Sequence, residues 1–174
     1  MTIRKILTEP DPFLRQKSEP VIEVNDEVRT LMDDMLETMY DAPGIGLAAI
    51  QVGVPKRIIV IDLSKEKEKK NPLYFVNPEL ITKSKKDASY EEGCLSVPNQ
   101  FAEISRPDSC KVKYLDYNGS EKILEAEGLL ATCIQHEMDH LEGILFIDYL
   151  SKLKKGMIIK KLSKQKKTLE RIVV

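Results

Sequence analysis

The sequence has few cysteines and no long apolar run, and both absences exclude whole classes of protein. Its three cysteines, Cys94, Cys110 and Cys133, are an odd number without disulfide spacing, which excludes a disulfide-stapled miniprotein and favours a reducing compartment. The longest mostly apolar stretch, residues 44–50, is far shorter than the roughly 20 residues that cross a bilayer. Charges near the N-terminus interrupt any apolar core of a signal peptide. We therefore expect a cytoplasmic protein that does not enter a membrane.

The composition predicts one folded domain with a basic tail. Hydrophobic residues make up 42% of the chain and charged residues 32%, which excludes a disordered protein and predicts a heavily charged surface. At about 150 residues per domain, we expect a single catalytic domain over 1–174. The net charge of -1 hides an asymmetry, because residues 151–174 hold nine basic residues and one acidic residue. Such a run is usually a solvated helix face, although it also suits contact with a phosphate backbone.

Apolar periodicity predicts three helices. Helical spacing between Val28 and Tyr40 predicts an amphipathic helix, capped by Asn25 or Asp26 and stopped by the Pro-Gly pair at 43–44. Residues 129–141 are apolar nearly all round, which is typical of a helix inside the protein. A lysine-coated helix follows within 151–170. Its expected apolar side consists of Leu150, Leu153, Met157, Ile158 and Leu162.

Short β patterns lie between these helices. Residues 57–62 and 73–77 read as strands, and alternation from Cys110 to Tyr114 predicts a half-buried strand. The Asn-Gly pair at 118–119 is a hairpin signature, so residues 121–126 should return antiparallel. Strand and helix do not alternate regularly along the chain. The sequence therefore predicts an α+β fold with antiparallel sheet rather than a doubly wound fold.

The only two histidines lie in the run His136-Glu137-Met138-Asp139-His140. Positions i and i+4 share one face of a helix, so both imidazoles can bind one metal ion, with Glu137 beside it as general base. The alternative is a surface helix that happens to carry two histidines. Its apolar surroundings argue against that, because a buried imidazole pair needs partners.

The third protein ligand of such a site is left open by spacing. Phe146 stands where a metzincin would have its third histidine, which excludes that class, and Glu170 is a weak candidate among lysines. Cys110 lies on the apolar phase of a strand, and Cys133 lies too far along the helix from the midpoint of the pair. Cys94, expected in a loop beside a glycine, is moderately preferred.

A glycine-rich segment, Gly44-Ile45-Gly46-Leu47-Ala48-Ala49, imitates a dinucleotide-binding fingerprint. We reject that interpretation because a helix rather than a strand precedes the glycines. The segment is then either a simple turn or a place where Gly44 and Gly46 let a ligand approach the backbone. Gln51 follows in an apolar stretch and needs a polar partner, for which a substrate oxygen is a candidate.

Three segments together, GIGLAAIQ, EGCLS and HEMDH, resemble the signature motifs of the peptide deformylase family in their order and placement. The opening ILTEPDPFLR, the tripeptide SVP and the terminal helix extend the resemblance, which is to the compact bacterial type. It implies antiparallel sheets wrapped around a buried central helix carrying HExxH, with a C-terminal helix. It also implies that Cys94, His136 and His140 bind Fe(II), with zinc or nickel able to take its place.

The resemblance further implies a metal-dependent hydrolase that removes the N-formyl group from the N-terminal methionine of new polypeptides and releases formate. Metal-activated water would attack the formyl carbon, with Glu137 as general base and then acid. The Gln51 amide and the Leu95 backbone N–H would stabilise the charge on the formyl oxygen. Expected substrate-binding residues are Gly44, Ile45, Gly46, Gly93, Leu129 and Cys133. For Ile45, Leu129 and Cys133 the plain alternative is ordinary core packing.

The implied partners are nascent formylmethionyl peptides and, through the basic tail, the ribosome, with no role for DNA. Two rival interpretations stay open on the sequence. One is a metallopeptidase acting on unformylated peptides. The other is a binding module with a closed structural metal site, for example Cys94, Cys133, His136 and His140.

Overall fold

A computed structural model describes residues 1–66 and 69–172, with the side chains of 170–172 outside that description. Three α-helices lie within these residues: α1, Asp26–Asp41; α2, Gly128–Leu141; and α3, Lys152–Ile172. The strands there are β1, Gly46–Ala48; β2, Ile58–Ile61; β3, Leu73–Lys83; β4, Asp87–Cys94; β5, Val97–Pro107; β6, Ser109–Leu115; and β7, Glu121–Glu127. Together they confirm the predicted α+β fold with antiparallel sheets.

Helix α1 forms as its sequence predicts. The Asn25 side chain accepts a hydrogen bond from the Val28 backbone N–H at 3.0 Å, which satisfies a donor that the first helical turn leaves free. The apolar stripe places Met32, Met35 and Met39 fully inside the protein. Flexible methionine side chains fill irregular space well, so this face packs closely on the sheet.

The larger sheet has five antiparallel strands in the order β1-β2-β3-β6-β7. Strand β2 is buried along its whole length, which explains its continuous apolar run. Strand β3 is longer than predicted and continues to Lys83, and the hairpin between β6 and β7 is confirmed. The glycine-rich segment is not a simple turn, because Gly46 begins the short edge strand β1, which pairs with β2.

Strands β4 and β5 form a separate two-stranded sheet, which the apolar pattern does not predict. Their side chains are mostly polar and many are exposed, so neither strand carries the apolar alternation that marks a half-buried strand. The expectation that Cys94 lies in a loop is therefore wrong. Cys94 is the last residue of β4, at a break in the pairing register after Gly93.

Helix α2 lies at the centre of the fold and contacts β1, β2, β4, β5, β6 and β7. Its apolar residues Ala131, Ile134 and Leu141 are fully buried. The same burial encloses His136, Glu137 and His140, since partners surround the helix on most sides. The predicted central helix wrapped by antiparallel sheets is confirmed.

Helix α3 packs on the body through part of the predicted stripe, together with Ile159. Leu162 is buried, and Ile158 and Ile159 pack beside it against a cluster that contains Phe146 and Ile147 of the preceding 3₁₀ turn. Leu150 precedes the helix and packs against the same cluster, whereas Leu153 and Met157 are 75% and 64% exposed. The prediction is therefore confirmed for Leu150, Ile158 and Leu162 and wrong for Leu153 and Met157, which the body does not cover.

No helix in the described ranges combines the length and the apolar character needed to cross a membrane.

The end of α2 depends on Gly143. This residue has φ +74°, a left-handed conformation that side chains other than glycine disfavour. A Cβ atom there would also overlap the backbone carbonyl oxygen of Arg15, which belongs to the N-terminal segment. Both effects require glycine where the chain leaves the central helix.

We expect Gly143→Ala to destabilise the protein by more than the roughly 1–2 kcal/mol of the backbone conformation alone, because the methyl group also clashes with Arg15. The matched control is Gly156→Ala in α3, where an added Cβ meets nothing within 4 Å. There the same change should stabilise by about 0.5–1 kcal/mol. Urea unfolding of both variants at equal metal content checks the pair, and similar effects at the two positions would contradict the argument.

Candidate metal centre and active site

Three side chains converge between β4 and α2. Cys94 ends β4, while His136 and His140 lie one turn apart on α2, and the ligand atoms of all three lie within 4.8 Å of one another. The Cys94 Sγ is 3.3 Å from the His140 Nε2. In residues 1–66 and 69–172 this is the one cluster of at least three histidine, cysteine or acidic side chains with that geometry. Cys133 is not part of it, and the Glu170 side chain lies outside the described residues.

The donor set fits a divalent transition metal. One thiolate and two imidazoles are ligands that zinc, iron and nickel accept, and three protein ligands leave a fourth position open, as in catalytic sites. The His136 Nδ1 is hydrogen-bonded to the Glu92 Oε1 at 2.8 Å, so its Nε2 is the nitrogen left for a metal. His140 is fully buried, and its Nδ1 has no hydrogen-bond partner among the described residues.

A buried ionic network, which no motif in the sequence predicts, orients His136. Arg106 donates two hydrogen bonds to the Glu92 carboxylate, at 2.7 and 3.0 Å, and a third to Asp139 at 2.8 Å. Tyr149 donates to the same Asp139 oxygen at 2.7 Å. Burial alone would raise the pKa of Glu92, but the hydrogen bonds from His136 and Arg106 outweigh it and lower that pKa. Glu92 therefore stays charged beside His136.

Glu137 is buried next to the cluster, with 5% of its surface exposed. Burial is the main reason that its pKa rises to about 7, with the charge of His136 acting in the opposite direction. Its side chain packs against Gly46, where a Cβ atom would overlap the carboxylate. A carboxylate with a pKa near neutrality can both accept and return a proton, which is what general acid–base chemistry requires.

Gln51 is held rigidly beside Cys94. Its Oε1 accepts a hydrogen bond from the Ala48 backbone N–H at 2.8 Å, and its Nε2 donates to the Ser96 Oγ at 2.9 Å. The same Nε2 lies 3.5 Å from the Cys94 Sγ. The polar partners expected for Gln51 therefore include two groups of the protein itself, the Ala48 backbone N–H and the Ser96 hydroxyl. Ser96 belongs to the SVP tripeptide, and no pattern in the sequence indicates its contact with Gln51.

A cavity of about 590 Å³ opens above the cluster. His140 lies beneath it, fully buried. The other predicted site residues all line the cavity: Gly44, Ile45, Gly46, Gln51, Gly93, Cys94, Leu95, Leu129, Cys133, His136 and Glu137. Ile45 and Leu129 are 46% and 42% exposed, so they are not ordinary core residues. Cys133 belongs to the core and to the cavity wall alike.

Comparisons with known proteins agree with this geometry. The family described as polypeptide deformylase matches residues 3–156. The peptide deformylase of Pelagibacter ubique is 68% identical over 174 residues, which is all of both chains. That of Phenylobacterium zucineum is 62% identical over 167 residues, or 96% of this chain and 99% of the relative.

Solved structures give the same result. The Ehrlichia chaffeensis peptide deformylase in complex with actinonin is 46% identical with a TM-score of 0.91, covering 95% of this chain and 98% of that one. The Legionella pneumophila peptide deformylase is 45% identical with a TM-score of 0.89, covering 98% of this chain and 99% of that one. The likeness therefore extends over the whole fold, including both sheets and the central helix.

Cys94→Ala should remove the bound metal, because two imidazoles alone hold a divalent ion poorly. The affinity should fall by more than the roughly 10- to 100-fold that is typical of losing a supporting residue. Metal analysis after anaerobic purification measures this. Cys110→Ala, in the core, and Cys133→Ala, in the cavity wall, are matched controls that should keep their metal. Unchanged metal content in Cys94→Ala would instead point to Cys133 or Glu170 as the third ligand.

Proposed function

This chain belongs to the peptide deformylase family, and on that premise we propose what each residue of the buried centre does. The protein is a metal-dependent hydrolase that removes the formyl group from the N-terminal methionine of nascent polypeptides. The observation that supports the assignment of roles is the convergence of Cys94, His136 and His140 beneath an open cavity.

Cys94, His136 and His140 are the proposed ligands of one divalent ion. We propose Fe(II) as the native ion, with zinc or nickel able to take its place, since the donor set accepts all three. When bound, the metal supplies Lewis-acid chemistry, which lowers the pKa of a water molecule and polarises a carbonyl group. Glu92 and Arg106 keep His136 in the tautomer and orientation that direct its Nε2 to the ion.

Glu137 is the proposed proton carrier. It takes a proton from the water that attacks the formyl carbon and returns a proton to the amine that leaves, giving formate and a free N-terminus. Its raised pKa supports both steps, because neither protonation state is strongly favoured near neutral pH. Gly46 leaves room for the carboxylate at this place.

Gln51 and Leu95 are the proposed donors to the formyl oxygen as negative charge develops on it. Because Ala48 holds the Gln51 Oε1, the amide NH₂ group faces the side of Cys94 without rearrangement. Leu95 follows Cys94 directly, so its backbone N–H belongs to the peptide bond that joins it to this proposed metal ligand. Fixed donors of this kind are each worth about 100- to 1,000-fold in rate.

The peptide itself is proposed to bind as an added strand along Ile45. Strand β1 is at the edge of the five-stranded sheet, so one side of it is open to such pairing. Gly44, Gly46 and Gly93 allow the peptide backbone to come close. Leu129 and Cys133, from α2, are proposed to contact the methionine side chain.

Residues 1–174 are proposed to form a single catalytic domain. Contacts of α2 with both sheets support this, because neither sheet is separated from the central helix. The cytoplasm is the proposed location, because formylmethionyl chains are the substrate of the reaction.

Glu137→Gln should keep the metal but lose deformylation, because the amide cannot accept a proton from water. A loss of at least 100-fold in kcat is expected, in the range typical of removing a general acid–base group. Turnover of formyl-Met peptides is compared with that of the same peptides without the formyl group, and metal content is measured in parallel. Retained turnover in the variant would refute the role of Glu137. Cleavage of unformylated peptides by the wild type would favour the metallopeptidase interpretation.

We propose that α3 contacts the ribosome through its exposed lysines. Lys161, Lys164, Lys166 and Lys167 are exposed, while Leu162 anchors the helix. Changing these four lysines to glutamine should weaken co-sedimentation with ribosomes and flatten its dependence on salt, because fewer counterions are released. The matched control changes four exposed lysines elsewhere: Lys5, Lys83, Lys85 and Lys122. Salt-insensitive binding, or an equal effect of both sets, would contradict the proposal.

A further inference from the structure

The 3₁₀ turn that precedes α3 reaches the proposed metal ligand His136 along two separate routes. The Phe146 ring faces the His136 ring, with their centroids 6.2 Å apart and their planes 24° apart. The Tyr149 ring lies over the Arg106 guanidinium group, with its centroid 4.9 Å from the central carbon atom. Arg106 in turn donates to Glu92, the hydrogen-bond partner of His136. One turn of chain therefore supports the imidazole from its face and, through Arg106, from its edge.

Tyr149 restrains Arg106 in a direction that the carboxylates do not. A guanidinium group is planar and its N–H donors point outward in that plane, so the hydrogen bonds to Glu92 and Asp139 hold its edges. The Tyr149 ring covers one face, where the π electrons of an aromatic ring attract a cation. The Tyr149 hydroxyl also donates to the Asp139 Oδ2 at 2.7 Å, the same oxygen that accepts from Arg106. Tyr149 therefore contacts both the arginine and one of its carboxylate partners.

The turn that carries Tyr149 is itself held from both sides. The neighbouring Asp148 carboxylate forms ion pairs with Arg15 at 2.6 Å and with Lys155 of α3 at 2.7 Å. It also accepts a hydrogen bond from the Leu145 backbone N–H at 3.0 Å. A side chain can orient another group only when its own backbone is fixed, and these contacts meet that condition for Tyr149.

We propose that Tyr149 is a positioning residue for the metal centre, which acts on His136 through Arg106 and Glu92. The inference rests on the proposed function, because it requires that His136 binds a metal ion. Loss of a group that directly supports a ligand costs about 10- to 100-fold in metal affinity. Tyr149 is two contacts further from the ligand, so its loss should cost less, between about twofold and tenfold.

The test measures two properties of Tyr149→Phe and Tyr149→Leu. These are the zinc dissociation constant, from competition with a chelator, and the absorption spectrum of the protein loaded with cobalt(II). Tyr149→Phe removes only the hydroxyl and should weaken zinc binding at the lower end of that range. Tyr149→Leu also removes the ring from the guanidinium face, so it should reach the upper end and shift the cobalt bands, which report the geometry of the ligands.

The matched control is Tyr117→Phe. The Tyr117 hydroxyl donates to the Asp33 Oδ2 at 3.1 Å, so this variant also removes a tyrosine–aspartate hydrogen bond, but one outside the network around His136. It should change neither the zinc affinity nor the cobalt spectrum. No loss of affinity in Tyr149→Leu, or an equal loss in Tyr117→Phe, would overturn the proposal.

A double variant tests the route. Glu92→Gln removes the charge that links Arg106 to His136, so Tyr149→Leu should weaken zinc binding little further in this background. Fully additive losses would show that Tyr149 does not act through Glu92 and would overturn the proposal. If Glu92→Gln yields no folded protein, the comparison with Tyr117→Phe decides alone. Failure of the wild type to bind one zinc ion per chain would instead overturn the proposed metal centre itself.

Discussion

The buried ion pair between Glu92 and Arg106 connects the β4–β5 hairpin to the central helix. Glu92 lies on β4 and Arg106 on β5, and both reach α2, the first through His136 and the second through Asp139. Removing two charges from water is costly, and only complete hydrogen bonding offsets it. Arg106 meets that condition with three bonds to carboxylates, so the hairpin has one favourable placement against the helix. That placement carries Cys94 to the two histidines.

The parts of the fold that the sequence predicted are those in which local pattern and tertiary burial agree. The stripe of α1 with its Asn25 cap, the apolar run of β2 and the Asn-Gly hairpin at 118–119 need no knowledge of distant residues. Strands β4 and β5 could not be found in this way, because much of their surface is exposed and their buried positions include the charged Glu92 and Arg106. Periodicity of apolar residues carries no information about such strands.

The candidate site was predictable to a similar degree. The pair His136 and His140, with Glu137 between them, follows from spacing on one helix. Spacing does not identify the third ligand, because Cys94 lies on another element and the pairing register of β4 brings its thiol to the two imidazoles. The family resemblance supplied Cys94, and the geometry brings it to the imidazoles. Arg106 has no motif of its own, and its role is visible only in the folded structure, where β5 pairs with β4 and the Arg106 side chain reaches Asp139.

The backbone of Gly46 contacts the Glu137 carboxylate directly, and this part of the cavity wall consists of backbone without a side chain. Any larger residue there would displace the proposed proton carrier. A substitution that adds bulk at a contact can weaken the binding of an inhibitor, but at Gly46 the added atoms would also meet the carboxylate of the proposed proton carrier. Few substitutions at this position could therefore weaken a compound that binds mainly to this stretch of backbone and still leave the Glu137 carboxylate in place.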